Sequence, residues 1–396
     1  MKLPIMILLA MIVLNGISDY SIYCQIKNKR NLKWLKAIHI GLSAILHIWV
    51  ATILLIAGNN ESLATVRMWS LFAFFSIYLS KYIYAFFLLL SATPRLFKQR
   101  PSRWIAMLGI CMAALLFTTM WWGALHTRKN AQITEIPISS SKLPSSFTGY
   151  KIVQFSDFHA GTFGNDTQTI ESFVDEINRC NPDLIVFTGD IVNSCADELI
   201  PFISTLKKLK ATDGVISILG NHDYGTYHKW NNPEEQERNL KTLMAYQTDS
   251  LGWHLLLNSH MEISRNGQSI SIIGVENWGE PPFSQHGNLK ASYPDLNDGQ
   301  FKVLLSHNPT HWEAEVAGKT TIDLTLSGHT HAMQAMVTIA GKKYSPSSLR
   351  YSRWEGLHKI GDNLLYVNIG MGEVGIPMRI GAAPEISVFT LQHTEM

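Results

Sequence analysis

Acidic residues are almost absent from the first third of this 396-residue chain, and cysteine is scarce throughout it. Residues 1–126 hold 12 Lys/Arg and only 2 Asp/Glu, a net charge of +10, whereas residues 127–396 hold 21 Lys/Arg and 29 Asp/Glu, a net of −8. This asymmetry excludes a single soluble globule, and the acidic remainder argues against nucleic-acid binding, which needs a basic face. Four cysteines are too few for a disulfide scaffold.

Four long apolar runs account for the scarcity of charge near the N-terminus. None contains more than one charged residue, and they are residues 3–26, 37–60, 68–94 and 104–127. Each is long enough to cross the hydrocarbon core of a bilayer, which takes about 20 helical residues. Helices of a soluble bundle would each need a charged outer face, and none of these runs has one. The sequence therefore predicts a four-span transmembrane domain over residues 1–127.

Lys and Arg residues in the short loops predict the orientation of these spans. The first and third loops carry nine of them: Lys27, Lys29, Arg30, Lys33, Lys36, Arg95, Lys98, Arg100 and Arg103. The opposite side carries four: Lys2, Arg67, Arg128 and Lys129. We therefore expect an integral plasma-membrane or inner-membrane protein in which everything after residue 127 is extracytoplasmic. A signal peptide over Lys2 and residues 3–14 is the competing interpretation, but no small-residue cleavage site follows.

Two charged residues fall inside the predicted spans, and intramembrane charges usually pair. At 1.5 Å per residue, Asp19 and Lys81 lie roughly 24 and 20 Å from the outer end of their spans, so they can meet. Such a pair either fixes helix packing or, with His47 in the second span, forms a polar site for a substrate headgroup or a proton. A transporter is a further possibility, but four spans without a visible internal repeat argue against it.

A polar segment and a recurring strand pattern follow the predicted spans. Residues 128–148 contain Pro137, Pro144 and five serines, a composition typical of a linker. In residues 149–396, five short runs rich in Ile, Val, Leu and Phe indicate buried strands. Each run ends at side chains able to bind metal: Asp157 and His159; Asp190; Asn221, His222 and Asp223; His307; and His329 and His331.

Parallel strands would bring these side chains together. Helical stretches at about 166–179 and 197–210 separate the early strands, which predicts βαβ units whose carboxyl ends share one edge. Two Asp, one Asn and four or five His, without sulfur, suit two divalent ions of Mn, Fe, Zn or Mg. Two ions sharing a carboxylate can activate a bridging hydroxide for attack on a phosphoryl group.

The motif order D-x-H, G-D, G-N-H-D, H and G-H-x-H resembles the calcineurin-like metallophosphoesterase superfamily over about residues 149–396. The C-terminal stretch NIGMGEVGIPMRIGAAPEISVFTL is similar to its membrane-linked bacterial branch, which includes multi-span enzymes. The resemblance implies a two-sheet α/β sandwich with helices outside. It implies one metal on Asp157, His159, Asp190 and His331, and a second on Asp190, Asn221, His307 and His329. His222 would protonate the leaving oxygen or stabilise phosphoryl charge, oriented by Asp223, although Asp223 could instead be a simple turn residue.

Other features near these motifs bear on the substrate. After His331 the chain continues with Ala332, Met333 and Gln334, where many relatives have Gly-Gly after the last His, so Met333 should narrow the mouth of the crevice. The loop 275–288 is either a substrate-contacting or membrane-contacting lip or an ordinary packed loop. Arg350, Arg353 and Trp354 either meet a headgroup or form a solvated face with an aromatic anchor.

Together these features predict a membrane-anchored, two-metal phosphoesterase that hydrolyses a phosphate ester or pyrophosphate by attack of a metal-bridging hydroxide. Tethering favours membrane lipids as partners and a phosphorylated lipid or cell-envelope compound as substrate, with no nucleic acid. The rival interpretation is a membrane sensor or scaffold that binds metal or phosphate without turnover. The His222-Asp223 pair argues against that rival, because a binding domain does not need a general acid.

Overall fold

The computed structural model describes residues 2–27, 33–57, 63–281 and 283–395. The chain divides into two compact units, Met1–Ala124 and Leu125–Met396. The division falls close to the predicted boundary at residue 127.

Four long helices make up most of the described part of the first unit. They are α1 (Lys2–Ile26), α2 (Lys33–Ala57), α3 (Ala64–Ala92) and α4 (Arg103–Leu125). Three helical segments in the described ranges are long and apolar enough to cross a membrane: Lys33–Ile56, Ala64–Phe97 and Arg103–Lys129. Large apolar side chains on these helices point outward, since Ile48, Leu55 and Trp104 are 66%, 84% and 79% exposed. An apolar outer surface of this extent is suited to lipid rather than to water.

A hydrogen-bonded polar network lies within this helical unit. Lys81 Nζ is 2.8 Å from Asp19 Oδ1, which confirms the predicted pairing. Ser43 Oγ donates to the same oxygen at 3.0 Å, and Tyr78 OH donates to the other carboxylate oxygen at 3.0 Å. His47 Nδ1 lies 3.3 Å from Tyr78 OH. Because both oxygens of the Asp19 carboxylate have donors, the network supports the packing role; a headgroup or proton site stays a prediction.

The second unit contains two six-stranded sheets and one hairpin. The first sheet has the order β1-β14-β2-β3-β4-β5, the second has the order β12-β13-β9-β8-β7-β6, and β10 and β11 form the hairpin. The strands are β1 (Gln132–Ser140), β2 (Lys151–Phe155), β3 (Leu184–Phe187), β4 (Val215–Ser217), β5 (His254–Leu255), β6 (Ser259–Arg265), β7 (Gln268–Gly274), β8 (Lys302–Leu305), β9 (Leu324–Ser327), β10 (Val337–Ile339), β11 (Lys342–Tyr344), β12 (Gly356–Ile360), β13 (Asn363–Val367) and β14 (Glu385–His393). The helices of this unit are α5 (Thr167–Arg179), α6 (Ile203–Leu206), α7 (Pro233–Ala245) and α8 (Leu289–Ser292).

The two sheets pack face to face, with helices on their outer faces. Ile152 of β2 and Val186 of β3 belong to the same buried core as Val303 of β8 and Leu326 of β9. On the outer face of the first sheet, alternate strand residues pack into a second core with residues of α5, α6 and α7. Alternation of this kind follows from the two-residue period of a strand. The predicted two-sheet α/β sandwich is confirmed.

The five strands predicted to precede the candidate ligands are also confirmed, but they belong to different sheets. β2, β3 and β4 run parallel in the first sheet, whereas β8 and β9 run parallel in the second. The side chains that follow them nevertheless converge, so the site lies where the carboxyl ends of both sheets meet.

The predicted linker at 128–148 is wrong, because its residues Gln132–Ser140 form β1, an edge strand paired in parallel with β14. Ile136 and Ile138 of β1 are buried, and Pro137 between them is exposed. Proline is tolerated on an edge strand, where its missing N–H leaves no partner unsatisfied. The short alternation of isoleucines was hidden by the surrounding serines and prolines.

Candidate metal centre

The two sheet edges bring the sequence-predicted ligands into one buried cluster. Asp157 and His331 are in contact, with 3.1 Å between Oδ1 and Nε2, and His331 Nε2 lies 3.1 Å from His159 Nε2. Asp190 Oδ2 is 3.1 Å from His307 Nε2 and 3.7 Å from His159 Nε2. Asp190 is therefore placed between two groups of potential ligands, as a bridging carboxylate must be.

The backbone at these residues is held in an unfavourable conformation. Asp157, His159, Asp190, His329 and His331 all have positive φ, between 47° and 74°. L-residues seldom adopt this left-handed region, and clusters of such strained residues occur at functional sites. The strain is retained because each turn aims its side chain from a strand end into the common site.

Two glycines make room for the carboxylates. A Cβ at Gly220 would overlap Asp190 Oδ1, and a Cβ at Gly328 would overlap Asp157 Oδ2. A side chain at either position would displace a carboxylate, so the glycines that precede the ligand motifs serve close packing around the site.

Hydrogen bonds fix which nitrogen of each imidazole faces the cluster. His307 Nδ1 lies 2.8 Å from the Thr188 carbonyl, which requires Nδ1–H and makes Nε2 the ring nitrogen that faces Asp190. His329 Nε2 lies 3.0 Å from Tyr351 OH, while its Nδ1 is 3.2 Å from His307 Nε2. Outer partners of this kind are typical of histidines that bind metals.

The donor set fits two divalent cations. Three groups of ligand atoms are close enough to share an ion: Asp157, His159 and His331; Asp190, His307 and His329; and His159, Asp190 and His222. Asn221 Oδ1 is buried without a hydrogen-bond partner, although buried oxygens are normally satisfied. A cation beside it would remove that deficit. The first two groups and Asn221 Oδ1 match the predicted ligand sets, whose binding of metal stays a prediction.

Burial and neighbouring charges shift the pKa values of the ionisable groups in the cluster. Although burial raises the pKa of Asp157, the neighbouring His331 lowers it below its usual value. Burial opposes protonation of His307, yet the Asp190 carboxylate raises the pKa of His307 to about 9. Burial lowers the pKa of His329 to about 3. Without metal, a proton on His307 thus balances part of the negative charge of the cluster. A bound cation can take the place of that proton.

His222 lies at the cluster with one ring nitrogen already engaged. Its Nδ1 is 2.7 Å from the Asn193 carbonyl, so Nδ1 carries a proton and Nε2 remains available for acid–base chemistry. Tyr227 stacks on the imidazole with 4.2 Å between ring centroids, and its hydroxyl accepts from Asn221 Nδ2 at 3.0 Å. The ring is therefore held in one orientation.

The prediction that Asp223 orients His222 is wrong. The Asp223 carboxylate is fully buried and accepts backbone N–H groups of Asp190 at 2.9 Å, Ile191 at 2.8 Å and Gly220 at 2.8 Å. Burial, together with the charge of Asp190, raises the pKa of Asp223 to about 7. Asp223 therefore ties two ligand loops together, and the Asn193 carbonyl takes the orienting role.

A cleft of about 470 Å³ opens onto the cluster. Its floor includes Asp190, Asn221, His222, His329 and His331, and its walls include Phe283, Met333, Arg350, Tyr351, Val374, Ile376 and Met378. Predominantly apolar walls around a polar floor are typical of a site for a ligand with an apolar portion. Met333 lies at the cleft as predicted. Phe283 of the loop 275–288 also lines the cleft, and so does Arg350, for which the sequence left two roles open.

The residues that the sequence analysis missed include Asn193, Tyr227 and Tyr351. Asn193 acts through its backbone carbonyl, which every residue type has, so no sequence pattern indicates this role. Tyr227 and Tyr351 lie in irregular segments where nothing in the spacing points to the site.

Comparisons with known proteins found family matches to both units of the chain. The family profile described as "Calcineurin-like phosphoesterase" matches residues 150–333, and "Probable Calcineurin-like phosphoesterase, transmembrane domain" matches residues 2–128. The uncharacterized metallophosphoesterase YkuE of Bacillus subtilis (strain 168) is 35% identical over 271 residues, covering 66% of this chain and 86% of YkuE. This chain belongs to the calcineurin-like metallophosphoesterase family.

More distant relatives also carry a membrane domain. The transmembrane protein with metallophosphoesterase domain of Danio rerio is 28% identical over 291 residues, or 70% of this chain and 62% of that protein. The match thus spans less than two thirds of the fish protein's length. Two solved structures are similar at low level. The NAD nucleotidase NadN of Haemophilus influenzae has a TM-score of 0.36 and 14% identity, covering 56% of this chain and 45% of NadN. The protein TT1561 of Thermus thermophilus has a TM-score of 0.34 and 13% identity, covering 57% of this chain and 91% of TT1561.

Proposed function

We propose that this membrane metallophosphoesterase is a two-metal hydrolase of phosphate esters or pyrophosphates. The observation that carries the proposal is the convergence of Asp157, His159, Asp190, Asn221, His307, His329 and His331, from two sheets, on a site with an unsatisfied amide oxygen. Two divalent ions held there would polarise a phosphoryl oxygen and increase the acidity of a nucleophilic water. Direct attack by water gives inversion at phosphorus and requires no covalent enzyme intermediate.

The protein's own groups supply the proton transfer and the orientation. His222, held by the Asn193 carbonyl and stacked on Tyr227, presents Nε2 to the cleft as a proton donor for the leaving oxygen. Arg350 lines the same cleft and offers a cation to a phosphoryl oxygen. Tyr351 holds the His329 ring so that its Nδ1 faces the cluster.

The cleft favours a substrate with an apolar portion. Phe283, Met333, Ile376 and Met378 surround the polar floor, which suits a phosphate attached to a lipid better than a free sugar phosphate. The membrane domain keeps lipid headgroups at high effective concentration near the catalytic unit. A phosphorylated lipid or lipid-linked envelope compound is therefore the proposed substrate class, with membrane lipids as the partners.

We place the catalytic unit on the extracytoplasmic side, because nine Lys/Arg in the first and third loops favour a cytoplasmic location for those loops. Protease added to intact, right-side-out membrane vesicles would then cut residues 128–396 without detergent. Cleavage that requires detergent would place the catalytic unit on the cytoplasmic side.

The activity is tested with full-length protein in detergent, loaded with Mn²⁺ and given an aryl phosphomonoester, an aryl phosphodiester and phosphatidic acid. We expect metal-dependent turnover that disappears in Asp190→Asn, which removes the shared carboxylate. Asp197→Asn, at an exposed carboxylate outside the cluster, is the matched control and should keep full activity.

The alternative is a sensor or scaffold that binds metal or phosphate without turnover. It would take over if the metal-loaded wild type bound phosphate tightly and hydrolysed none of the three substrates. The His222 arrangement argues against it, because a positioned proton donor is not needed for binding alone.

A further inference from the structure

The segment 332–354, called here the cleft lobe, differs in charge from the rest of its unit. It contains Lys342, Lys343, Arg350 and Arg353 and no Asp or Glu. The remainder of residues 127–396 holds 17 Lys/Arg and 29 Asp/Glu, a net of −12. Arg353 pairs with Glu313 and Lys343 pairs with Glu355, both outside the lobe, so among the described residues Lys342 and Arg350 carry the lobe's positive charge outside these ion pairs.

The lobe also exposes an unusual amount of apolar surface. Every residue of the β10–β11 hairpin is exposed on both faces. Val337 pairs with Tyr344 and Ile339 pairs with Lys342, so these four side chains share one face of the hairpin. Val337, Ile339 and Tyr344 are 52%, 59% and 50% exposed, and Leu349 beyond the hairpin is 91% exposed. A two-stranded hairpin without a covering layer is only marginally stable in water, so we expect another surface to cover this face.

The lobe begins and ends at the metal centre. It follows His331 directly, and Met333 at its start lines the cleft. It returns through Arg350 and Tyr351, whose hydroxyl contacts His329. Whatever covers the hairpin therefore lies beside the entrance to the catalytic cleft.

From this arrangement we propose that the cleft lobe docks onto an anionic lipid surface and thereby brings lipid phosphate to the metal centre. Apolar side chains flanked by Lys and Arg are the combination that binds the interface of anionic membranes. The rest of residues 127–396 carries a net charge of −12 and is repelled by anionic lipids as a whole, so the lobe is the segment best suited to approach them. Transmembrane helices in the same chain keep a bilayer within reach. This inference rests on the proposed hydrolase for its substrate, but the docking itself can be measured without turnover.

Docking is tested with full-length protein in proteoliposomes that contain spin-labelled lipid. A fluorescent amino acid is placed at Ile339 or, as the matched control, at Ile200, which is 52% exposed on a different segment. We expect quenching several-fold stronger at position 339 than at position 200, increasing with the fraction of phosphatidylglycerol and falling in high salt. Equal quenching at the two positions would overturn the proposal. A probe at 339 shielded from aqueous iodide but not quenched by lipid would also overturn it, because a second copy or another protein would then cover the lobe.

Delivery of substrate is tested on the same proteoliposomes with Lys342→Glu, and with Lys210→Glu as the control at an exposed lysine elsewhere. We expect Lys342→Glu to reduce hydrolysis of phosphatidic acid roughly tenfold, since each cation near an anionic surface contributes substantially to binding. Hydrolysis of a soluble aryl phosphate should be unchanged in both variants. Unchanged phosphatidic acid hydrolysis in Lys342→Glu would overturn delivery. Failure of wild type on both substrates would refute the proposed hydrolase instead, and the quenching result would still decide docking.

Discussion

Replacing His222 by Ala gives the most informative prediction about the chemistry. The imidazole is positioned by the Asn193 carbonyl at 2.7 Å and by the Tyr227 ring at 4.2 Å between centroids. A positioned general acid contributes roughly 10²- to 10⁴-fold, or about 3 to 5 kcal/mol of transition-state stabilisation. We therefore expect a loss of about 10³-fold in kcat, the middle of that range, because the ring is held in place before substrate binds.

The loss should depend on the leaving group. An alkyl ester leaves as a strong base and needs the proton, whereas a nitrophenyl ester leaves as a stable anion and does not. We expect His222→Ala to reduce kcat about 10³-fold on the alkyl ester and less than about tenfold on the nitrophenyl ester. The assay is steady-state hydrolysis of both esters by full-length, metal-loaded enzyme.

Asn193→Ala is the matched control, because it keeps the backbone carbonyl that orients His222. Its kcat should stay within about threefold of wild type on both esters. An equal loss on the two esters in His222→Ala would refute the acid role. His222 would then act on phosphoryl charge or on metal binding, which do not distinguish leaving groups.

Four further predictions follow from other contacts in the two units. Tyr351→Phe should weaken binding of one metal ion by about 10- to 100-fold, because His329 loses the partner that fixes its ring; a metal titration with wild-type affinity would contradict this. Asp223→Asn should lower the free energy of unfolding of the metal-free protein by about 2 to 4 kcal/mol, since an amide NH₂ would face backbone donors; an unchanged unfolding curve would be inconsistent with its role in joining the loops. The pKa of His307 is about 9 without metal, so the ring is protonated at pH 7.5, and metal binding should release a proton. Calorimetry in buffers of different ionisation enthalpy measures this proton release, and a binding enthalpy that does not change with the buffer would contradict the prediction. Lys81→Leu should destabilise the helical unit in detergent more than Lys81→Leu combined with Asp19→Leu, because the single variant leaves a buried charge unpaired; the reverse order would argue that the pair does not stabilise packing.

Much of the catalytic unit could be predicted because its ligands follow buried strands. Asp157 and Asp190, for example, come two and three residues after the ends of β2 and β3, where a parallel sheet collects side chains at one edge. The division of the strands between two sheets could not be predicted from their apolar runs. An apolar run indicates that a strand is buried, but not which strands lie beside it. It came only from the family resemblance.

The errors have related physical causes. Asp223 follows His222 in sequence, but a tight turn sends the two side chains to different places, so adjacency in sequence was a poor guide to contact. The orienting group at Asn193 is a backbone carbonyl, which no residue pattern reveals. The linker prediction fails at β1 because two buried isoleucines, Ile136 and Ile138, form too short an alternation to indicate a strand beside Pro137.

A single metal titration tests the central claim most directly. Full-length, metal-free protein is titrated with Mn²⁺ while bound metal and hydrolysis of an aryl phosphate are measured in the same samples. We predict two bound ions per chain, with turnover appearing only when both sites are filled, and loss of turnover in Asp190→Asn. Full activity with a single bound ion, or two bound ions with no turnover on soluble or lipid phosphates, would contradict the two-metal hydrolase.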